Sequence, residues 1–221
     1  MKYIARIKTD FKTKFGVPRQ SGLVPELEAR IVFEPEYRNP EAVRGLCEFS
    51  HIWLIWEFSE AVREGWAPTV RPPRLGGNKR VGVFATRSPF RPNPIGLSCV
   101  KLEKIDLSSD DAPALIVRGA DLVDGTPIFD IKPYLPYADS VPDASGGFTD
   151  RSDRSVLKVS IPESLSGTLP EEKMPALLSA LAQNPVPGYQ HDPNRIYGFE
   201  FAGHEIKFKI SGGTVWVVDI E

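Results

Sequence analysis

The sequence predicts a mainly β protein, arranged as a barrel or a sandwich, followed by a smaller α+β unit. Short apolar runs rich in β-branched and aromatic residues follow one another through the first part of the chain, with Gly and Pro between them. Little helical periodicity separates these runs, which argues against alternating strand–helix–strand units. The 221 residues are 41% hydrophobic and 25% charged, a composition typical of a soluble globular protein.

Six runs carry the strand pattern in the first part of the chain. They span residues 3–7, 29–34, 51–58, 81–86, 97–105 and 114–122. A helix is predicted over 40–48, because Asn39 is a good N-cap residue and Pro40 fits the first helical position.

The composition changes at 136–155, which is small, polar and proline-bearing and indicates a linker or a lid. After it, VLKVSI has a strand pattern, and PEEKMPALLSALAQN has a helical pattern with Leu177, Leu178 and Leu181 on one apolar face. Alternation over 197–221, interrupted by two turn signals, predicts a three-stranded meander. The predicted division is 1–140 for the first domain, 141–155 for a linker and 156–221 for the second domain.

Several classes of protein are disfavoured by what the sequence lacks. No apolar run approaches the length of a membrane-spanning helix, and the N-terminus lacks the apolar core of a signal peptide. Two cysteines and three scattered histidines form neither a disulfide framework nor a metal-ligand spacing. A GxGxxG motif, a Walker A sequence and a nucleophile elbow are also absent. We therefore expect a cytoplasmic protein without a bound metal.

Charge is distributed unevenly, although the net charge is only −2. The segment 65–102 contains no Asp or Glu. Its cations are Arg71, Arg74, Lys79, Arg80, Arg87, Arg91 and Lys101. One interpretation is chance clustering on a solvated face, and the other is a surface that contacts nucleic-acid phosphates.

The stretch GVFATRSPFRPNPIGLS, residues 82–98, places three prolines among Arg87 and Arg91. Proline fixes its own φ and removes a backbone donor, so this stretch predicts a stiff loop. A stiff loop loses little entropy on binding, and arginine offers a planar fork for a carboxylate or a phosphate. The loop is therefore a candidate binding element, with a purely structural corner as the alternative.

Three further stretches combine turn residues with polar groups. PRQ at 18–20 offers a guanidinium and an amide, VRPPRLGGN at 70–78 suits a phosphate contact, and DLVDGTPIFDIKPYLPYADS spans 121–140. In the third stretch, Asp130 and Lys132 fall on the same side of a strand. The structural alternatives are an exposed turn, a crossover and a pair of turn aspartates.

These motifs resemble the TsaA-like, or TrmO, family of tRNA N6-methyltransferases. The two long stretches at 82–98 and 121–140 carry most of the likeness. PRQSGLVP, FSHIWLIWEF, PTVRPPRLGGN and YGFEF extend it over nearly the whole chain. The resemblance implies a β-barrel that uses S-adenosylmethionine, forms a homodimer, and methylates N6-threonylcarbamoyladenosine at position 37 of tRNA.

The resemblance also implies a set of site residues. For the cofactor these are Pro18, Arg19, Gln20, Ser59, Glu60, Arg87, Leu97, Asp124, Gly125, Thr126 and Pro127. Ser59 departs from the family pattern, in which histidine is frequent at this position. A cofactor with a carboxylate, an adenine edge and a sulfonium suits arginine, amide and acidic groups.

The substrate side of the site is assigned as follows. We expect Arg71, Arg74, Lys79, Arg80 and Arg91 to contact RNA, and Asp130 and Tyr134 are candidates for the general base. Two alternatives stay open at this point: a non-catalytic RNA-binding module that retains the barrel, and a methyltransferase that acts on a small molecule.

Overall fold

The computed structural model describes residues 1–62, 64–75, 79–152, 154–186 and 192–221. The first eight strands are β1 (Ala5–Lys8), β2 (Glu28–Phe33), β3 (His51–Glu57), β4 (Thr69–Val70), β5 (Val81–Gly82), β6 (Ile95–Asp106), β7 (Ala114–Arg118) and β8 (Pro127–Pro133). Six of them close an antiparallel barrel in the order β1-β2-β7-β6-β3-β8, and β4 pairs with β5 as a separate two-stranded ribbon. The barrel that the sequence resemblance implied is confirmed.

The barrel interior is filled by alternate residues of its strands. On β3, for example, Ile52, Leu54 and Trp56 are buried, while their neighbours lie on the outer face. This alternation is the period of two that the sequence shows over 51–58. Closure joins Ala5 of β1 to Ile128 of β8, so a contact between distant parts of the chain completes the fold.

Three predicted elements differ from the structure. The strand predicted over 114–122 ends at Arg118, because Gly119 has a φ of 77°. The strand predicted over 81–86 is wrong beyond residue 82, because Val83 turns inward in a 3-10 helix, Val83–Ala85, and is buried. The helix predicted over 40–48 is a pair of 3-10 helices, because Gly45 has a φ of 79° that interrupts it. Asn39 nevertheless caps the first of them, since its side chain accepts a hydrogen bond from the Glu41 amide.

The C-terminal part forms a second sheet with a helix against it. The helices are α1 (Pro136–Asp139) and α2 (Met174–Ala182), and the strands are β9 (Lys158–Ser160), β10 (Tyr197–Phe201), β11 (His204–Ser211) and β12 (Thr214–Ile220). The sheet order is β10-β11-β12-β9, so the predicted meander is present and β9 adds a parallel edge. Leu177 and Leu181 of α2 are fully buried against it.

Short 3-10 helices connect many of these elements. They are Pro35–Tyr37, Pro40–Val43, Leu46–Glu48, Ser59–Ala61, Pro73–Leu75, Val83–Ala85, Gly147–Arg151, Glu163–Leu165 and Glu171–Lys173. In the part of the chain that the structure describes, no helix has both the length and the apolar character needed to cross a membrane.

The second sheet packs on the loop that joins β1 to β2. Phe11 in this loop pairs with Phe201 of β10, and their ring centroids lie 5.2 Å apart in an edge-on arrangement. Lys173 Nζ lies 2.7 Å from Asp10 Oδ2. Val24 and Leu27 of the same loop also belong to the second hydrophobic core. The loop is therefore anchored on both sides, which holds its residues 18–20 in place at the end of the barrel.

Candidate functional site

Arg87 and Gln20 meet in space, although the chain separates them widely. Arg87 lies between the 3-10 helix Val83–Ala85 and β6, and Gln20 lies between β1 and β2. Arg87 Nη1 donates a hydrogen bond of 2.5 Å to Gln20 Oε1, and the Gln20 amide donates to the Arg19 carbonyl. Because Arg87 is exposed and a guanidinium has five N–H donors, most of its donors stay available for a ligand.

The loop that carries Arg87 is braced by its own side chains. Thr86 Oγ1 donates to the Val83 carbonyl at 2.8 Å and accepts from the Ser88 amide at 3.2 Å. Arg91 is half-buried, and its Nη1 donates to the Thr86 carbonyl at 2.9 Å. Arg91 thus braces the loop with at least one donor, and its predicted contact with RNA would have to use the others.

Asp121 supports this site from the barrel side. It lies in the connection between β7 and β8 and accepts a hydrogen bond of 2.5 Å from Ser98 Oγ. Ser98 is buried and accepts in turn from Trp56 Nε1 at 3.0 Å. Burial raises the pKa of the Asp121 carboxyl, while hydrogen bonds from Ser98 and the Ser21 backbone and the charge of Arg87 oppose that rise.

Gly96 allows the Trp56 indole to reach Ser98. A Cβ atom at residue 96 would lie only 2.2 Å from Cε2 of Trp56, so any side chain there would displace the ring. The indole therefore passes over Gly96, the only inward-facing residue of β6 that has no side chain. Its N–H donates to Ser98, two residues further along the strand. The result is a chain of hydrogen bonds from the barrel interior to Asp121.

The predicted Asp124–Pro127 turn is tied to β1 and the loop after it. Asp124 accepts from the Thr9 amide at 2.9 Å and from Lys12 Nζ at 2.7 Å. The Gly125 amide donates to the Ile7 carbonyl at 2.8 Å, and buried Thr126 donates its hydroxyl to the Val123 carbonyl at 2.7 Å. The turn shares its connection with Asp121, so it borders the Arg87 site, but the Asp124 carboxylate already has two partners.

Arg19 and Pro18 fix the loop on the other side. Pro18 is buried, whereas Arg19 is exposed. Arg19 Nη2 donates to the carbonyls of Asn184 and Val186 at 3.1 and 3.3 Å. Both carbonyls follow α2, so this arginine links the barrel to the C-terminal unit. These contacts make Arg19 a positioning group for Gln20.

Three other predicted residues lie on or beside the outer face of the barrel. Leu97 is 50% exposed and lies opposite Ile55, which in turn lies opposite Asp130, so the three form one row across β6, β3 and β8. Ser59 and Glu60 are exposed in the 3-10 helix that follows β3. The Phe58 amide donates to the Pro94 carbonyl at 2.8 Å, which holds this helix beside the end of the Arg87 loop.

The two candidate bases belong to the same outer face. Asp130 Oδ2 lies 3.1 Å from Lys132 Nζ, and both side chains are more than 40% exposed. The Tyr134 ring lies 5.9 Å from the Trp53 ring, and Trp53 Nε1 donates to Asp139 of α1 at 3.0 Å. Leu97 faces outward while Ser98 beside it faces inward, so the row of Leu97, Ile55 and Asp130 lies on the opposite face of the sheet from Ser98.

Apart from Arg91, the predicted RNA-contacting cations lie in the connection between β4 and β5. Arg71, Lys79 and Arg80 are exposed, and Arg80 Nη1 donates to Thr69 Oγ1 across the ribbon at 3.1 Å. Arg74 belongs to the 3-10 helix Pro73–Leu75, but its side chain lies outside what the structure describes. Within the described residues, none of these cations forms an ion pair, and no group of three metal-ligating side chains occurs.

Sequence reasoning missed the chain formed by Trp56, Ser98 and Asp121. The sequence pattern marks Asp121 as a turn residue and assigns no role to Ser98. One signal was available: Ser98 is a polar residue at an inward position of an alternating strand, where an apolar residue is expected. Barrel closure brings Asp121 to that serine, and the local sequence pattern does not reveal this contact.

Comparisons with known proteins match both parts of the chain to domains of one protein family. The family model of the tRNA-methyltransferase O N-terminal domain matches residues 6–140, and that of the TrmO C-terminal domain matches 157–221. A tRNA (adenine(37)-N6)-methyltransferase of Escherichia coli K12 is 40% identical over 226 aligned residues, which cover 99% of this chain and 96% of the relative.

A second relative and a solved structure extend the likeness. The tRNA (adenine(37)-N6)-methyltransferase of Eikenella corrodens is 46% identical over 169 residues, covering 76% of this chain and 95% of the relative. The crystal structure of TrmO from Pseudomonas aeruginosa superimposes with a TM-score of 0.80 at 32% identity, covering 100% of this chain and 96% of that one. Barrel, second sheet and sequence all agree, and the chain therefore belongs to the tRNA-methyltransferase O family.

Proposed function

We propose that this chain transfers a methyl group from S-adenosylmethionine to N6 of adenosine 37 in tRNA. The names of its full-length relatives support the reaction. The observation that carries the proposal onto this chain is the Arg87–Gln20 pair, which a braced loop and an anchored loop present together at the barrel end. We further propose that the acceptor adenosine already bears the threonylcarbamoyl group.

The donor chemistry of the site fits this cofactor. Arg87 offers a planar fork to the amino-acid carboxylate, and its loop is already ordered, so little entropy is lost on binding. Asp121, whose carboxyl accepts a hydrogen bond from Ser98, would complement the sulfonium when it is ionised. The full proposed set is Pro18, Arg19, Gln20, Ser59, Glu60, Arg87, Leu97, Asp124, Gly125, Thr126 and Pro127. When bound, the cofactor supplies a methyl group activated by a sulfonium, which requires only in-line approach of the acceptor.

The acceptor nitrogen needs help from the protein. Its lone pair is delocalised into the purine and, in threonylcarbamoyladenosine, into the carbamoyl group as well, so removing the N6 proton would free it. We propose Asp130 or Tyr134 as the group that takes this proton. Asp130 is 46% exposed on this outer face, and its Oδ2 lies 3.1 Å from Lys132 Nζ.

The ribbon is proposed to hold the RNA. Arg71, Lys79 and Arg80 are exposed in a segment without acidic residues, so they attract phosphates with little local competition. Arg74 and Arg91 complete the proposed set. A tRNA substrate also agrees with the cytoplasmic location expected from the sequence.

We also propose a homodimer whose interface completes the site. Its support is the outer face of β3 and β6, where Ile55, Ile95 and Leu97 form an apolar surface next to Asp130. Light scattering tests this: the proposal predicts a dimer, and a stable species with the 24.5 kDa mass of one chain would contradict it. Residues 1–140 are proposed as the cofactor domain, 141–155 as a linker and 156–221 as a supporting domain.

Mass spectrometry of tRNA nucleosides tests the activity. Purified protein is incubated with S-adenosylmethionine and with tRNA that either contains or lacks threonylcarbamoyladenosine, and a reaction without cofactor serves as the control. The proposal predicts one added methyl group on the threonylcarbamoyl nucleoside only. Equal methylation of both tRNAs would remove the threonylcarbamoyl requirement, and no methylation of either would contradict the activity.

A further inference from the structure

Two large aromatic side chains lie exposed beside each other at one end of the β4–β5 ribbon, Trp66 before β4 and Phe84 after β5. Trp66 is 51% exposed and Phe84 is 72% exposed, and their ring centroids lie 6.0 Å apart with a 32° angle between the ring planes. The Val83 amide donates to the Pro68 carbonyl at 2.9 Å, which continues the ribbon pairing toward these two residues. The pairing therefore fixes one ring beside the other.

The pair contributes to neither hydrophobic core of the described chain. Val83, directly before Phe84, is 1% exposed and supplies the inward contact of this segment. Phe84 points away from it into solvent. Single exposed apolar residues are common, but two large rings held together at the surface indicate a binding site.

Charge identifies the kind of partner. Segment 65–102 has no Asp or Glu, and Arg71, Lys79 and Arg80 flank the same ribbon as the two rings. Trp66 is three residues from Thr69, which accepts from Arg80, so their Cα atoms lie at most about 11 Å apart. Flat apolar faces close to cations that form no ion pair among the described residues match a nucleotide, whose base is a flat ring and whose phosphate is an anion.

We propose that Trp66 and Phe84 form a stacking platform for an unpaired base of the RNA substrate, while the ribbon cations hold the flanking phosphates. This inference rests on the proposed function, because it takes RNA as the substrate. A loop such as the one around tRNA position 37 provides the unstacked bases that such a platform requires. Stacking tolerates any base, so the platform would add affinity and orientation rather than sequence choice.

The test measures binding of an anticodon stem-loop RNA that carries 2-aminopurine at single loop positions. Trp66→Leu and Phe84→Leu remove the aromatic faces but keep apolar side chains, and Trp66→Phe keeps a ring. Trp216→Leu is the matched control, because Trp216 is also an exposed tryptophan, 43% exposed, but lies on β12 of the second sheet.

The platform predicts that the dissociation constant for the RNA is about tenfold larger for Trp66→Leu. For Trp66→Phe it should lie within about threefold of the wild-type value. The control should bind as wild type does. Because no charge is removed, the dependence of affinity on salt should be unchanged. Binding should quench 2-aminopurine at one loop position in the wild type, and this quenching should be lost in Trp66→Leu.

Three results would overturn the inference. Unchanged affinity in both leucine variants, with normal binding by the wild type, would remove the platform but leave the proposed tRNA substrate intact. Dissociation of Trp66→Leu into monomers with unaltered RNA binding would make the pair a protein–protein contact. Failure of the wild type to bind either the stem-loop or intact tRNA would remove the proposed substrate and the platform together.

Discussion

Arg30 and Arg87 belong to the same barrel domain, but their guanidinium groups have opposite surroundings. Arg30 on β2 lies 2.9 Å from Asp106, is also paired with Asp111, and donates to Ser109 Oγ at 2.5 Å. Arg87 donates to the neutral Gln20 side chain, and it has no ion pair among the residues that the structure describes. The guanidinium of Arg30 is paired with carboxylates of the fold, whereas that of Arg87 has no carboxylate partner among the described residues.

The carboxyl groups near the two arginines differ in the same way. Hydrogen bonds from Ser108, Ser109 and Arg30 lower the pKa of Asp106, and Arg30 is the main cause of the lowered pKa of Asp111. The pKa of Asp121, near Arg87, is instead raised by burial. Ionisation thus favours the folded state at Asp106 and Asp111 and opposes it at Asp121.

Of the effects expected from the difference between paired and unpaired cations, the largest is on tRNA affinity. Replacing the three unpaired ribbon cations Arg71, Lys79 and Arg80 with Ala should weaken tRNA binding about a hundredfold at about 0.15 M salt, because each phosphate contact contributes roughly 0.7 to 0.9 to the salt slope. The salt dependence should become shallower, and cofactor affinity should stay constant. Filter binding over a salt series measures both quantities.

A matched triple variant removes the same charge from paired cations. Lys8, Arg118 and Lys207 each lie against a carboxylate and are at least one-third exposed. Their replacement with Ala should change tRNA affinity by less than about threefold, since their charges are already compensated. An equal loss in both triple variants would mean that net charge matters and that the ribbon has no special role.

Arg87→Lys should weaken cofactor binding or turnover by about tenfold, or about 1.4 kcal/mol. Lysine keeps the charge but loses the planar, two-pronged geometry. Steady-state kinetics on the folded variant, measured below its melting transition, test this. A lower melting temperature with unaltered affinity and rate would make Arg87 a brace of the loop.

Asp121→Asn should reveal the energetic cost of the buried carboxyl. Because the folded-state pKa is raised, wild-type stability falls as the pH rises from the ordinary value of about 4 toward the raised one. Asparagine cannot ionise, so the free energy of unfolding of the variant relative to wild type should increase between pH 4 and pH 7. Urea titrations at both pH values measure it, and a pH-independent difference would contradict the assignment.

Arg30→Gln should show the opposite sign and the smallest effect. The lowered pKa values of Asp106 and Asp111 stabilise the fold above about pH 4, and this contribution is lost as the pH falls through the lowered values. The variant should therefore be less stable than wild type at pH 7, and this difference should shrink progressively as the pH falls below about 4. Cofactor and tRNA affinity should be unchanged, and a loss of either would place Arg30 in the site.

The sequence predicted local elements well and their long-range partners poorly. The alternation in β3 and β6 and the turns at Gly203 and Gly213 depend on neighbouring residues, so they could be read directly. The choice between barrel and sandwich depends on the pairing of Ala5 with Ile128, and only the family resemblance supplied it.

The candidate site shows the same limit. The stiffness of the Arg87 loop follows from its prolines and was predicted from the sequence. The contact between Arg87 and Gln20 was not predicted, because the two connections that carry these residues meet only after the barrel has closed. The run VGVFAT was misleading, since Val83 is buried by a 3-10 turn and not by a strand. The apolar character of this run correctly predicted that Val83 is buried, but it incorrectly predicted a strand at this residue.

The most direct test of the account compares two ligands in two proteins. Calorimetry measures the affinity of wild type and Arg87→Lys for S-adenosylmethionine and for its decarboxylated analogue, which lacks the anion that the unpaired guanidinium is proposed to bind. The account predicts about a tenfold loss for S-adenosylmethionine and less than about a twofold loss for the analogue. An equal loss for both ligands would show that Arg87 does not recognise the carboxylate and would contradict the account.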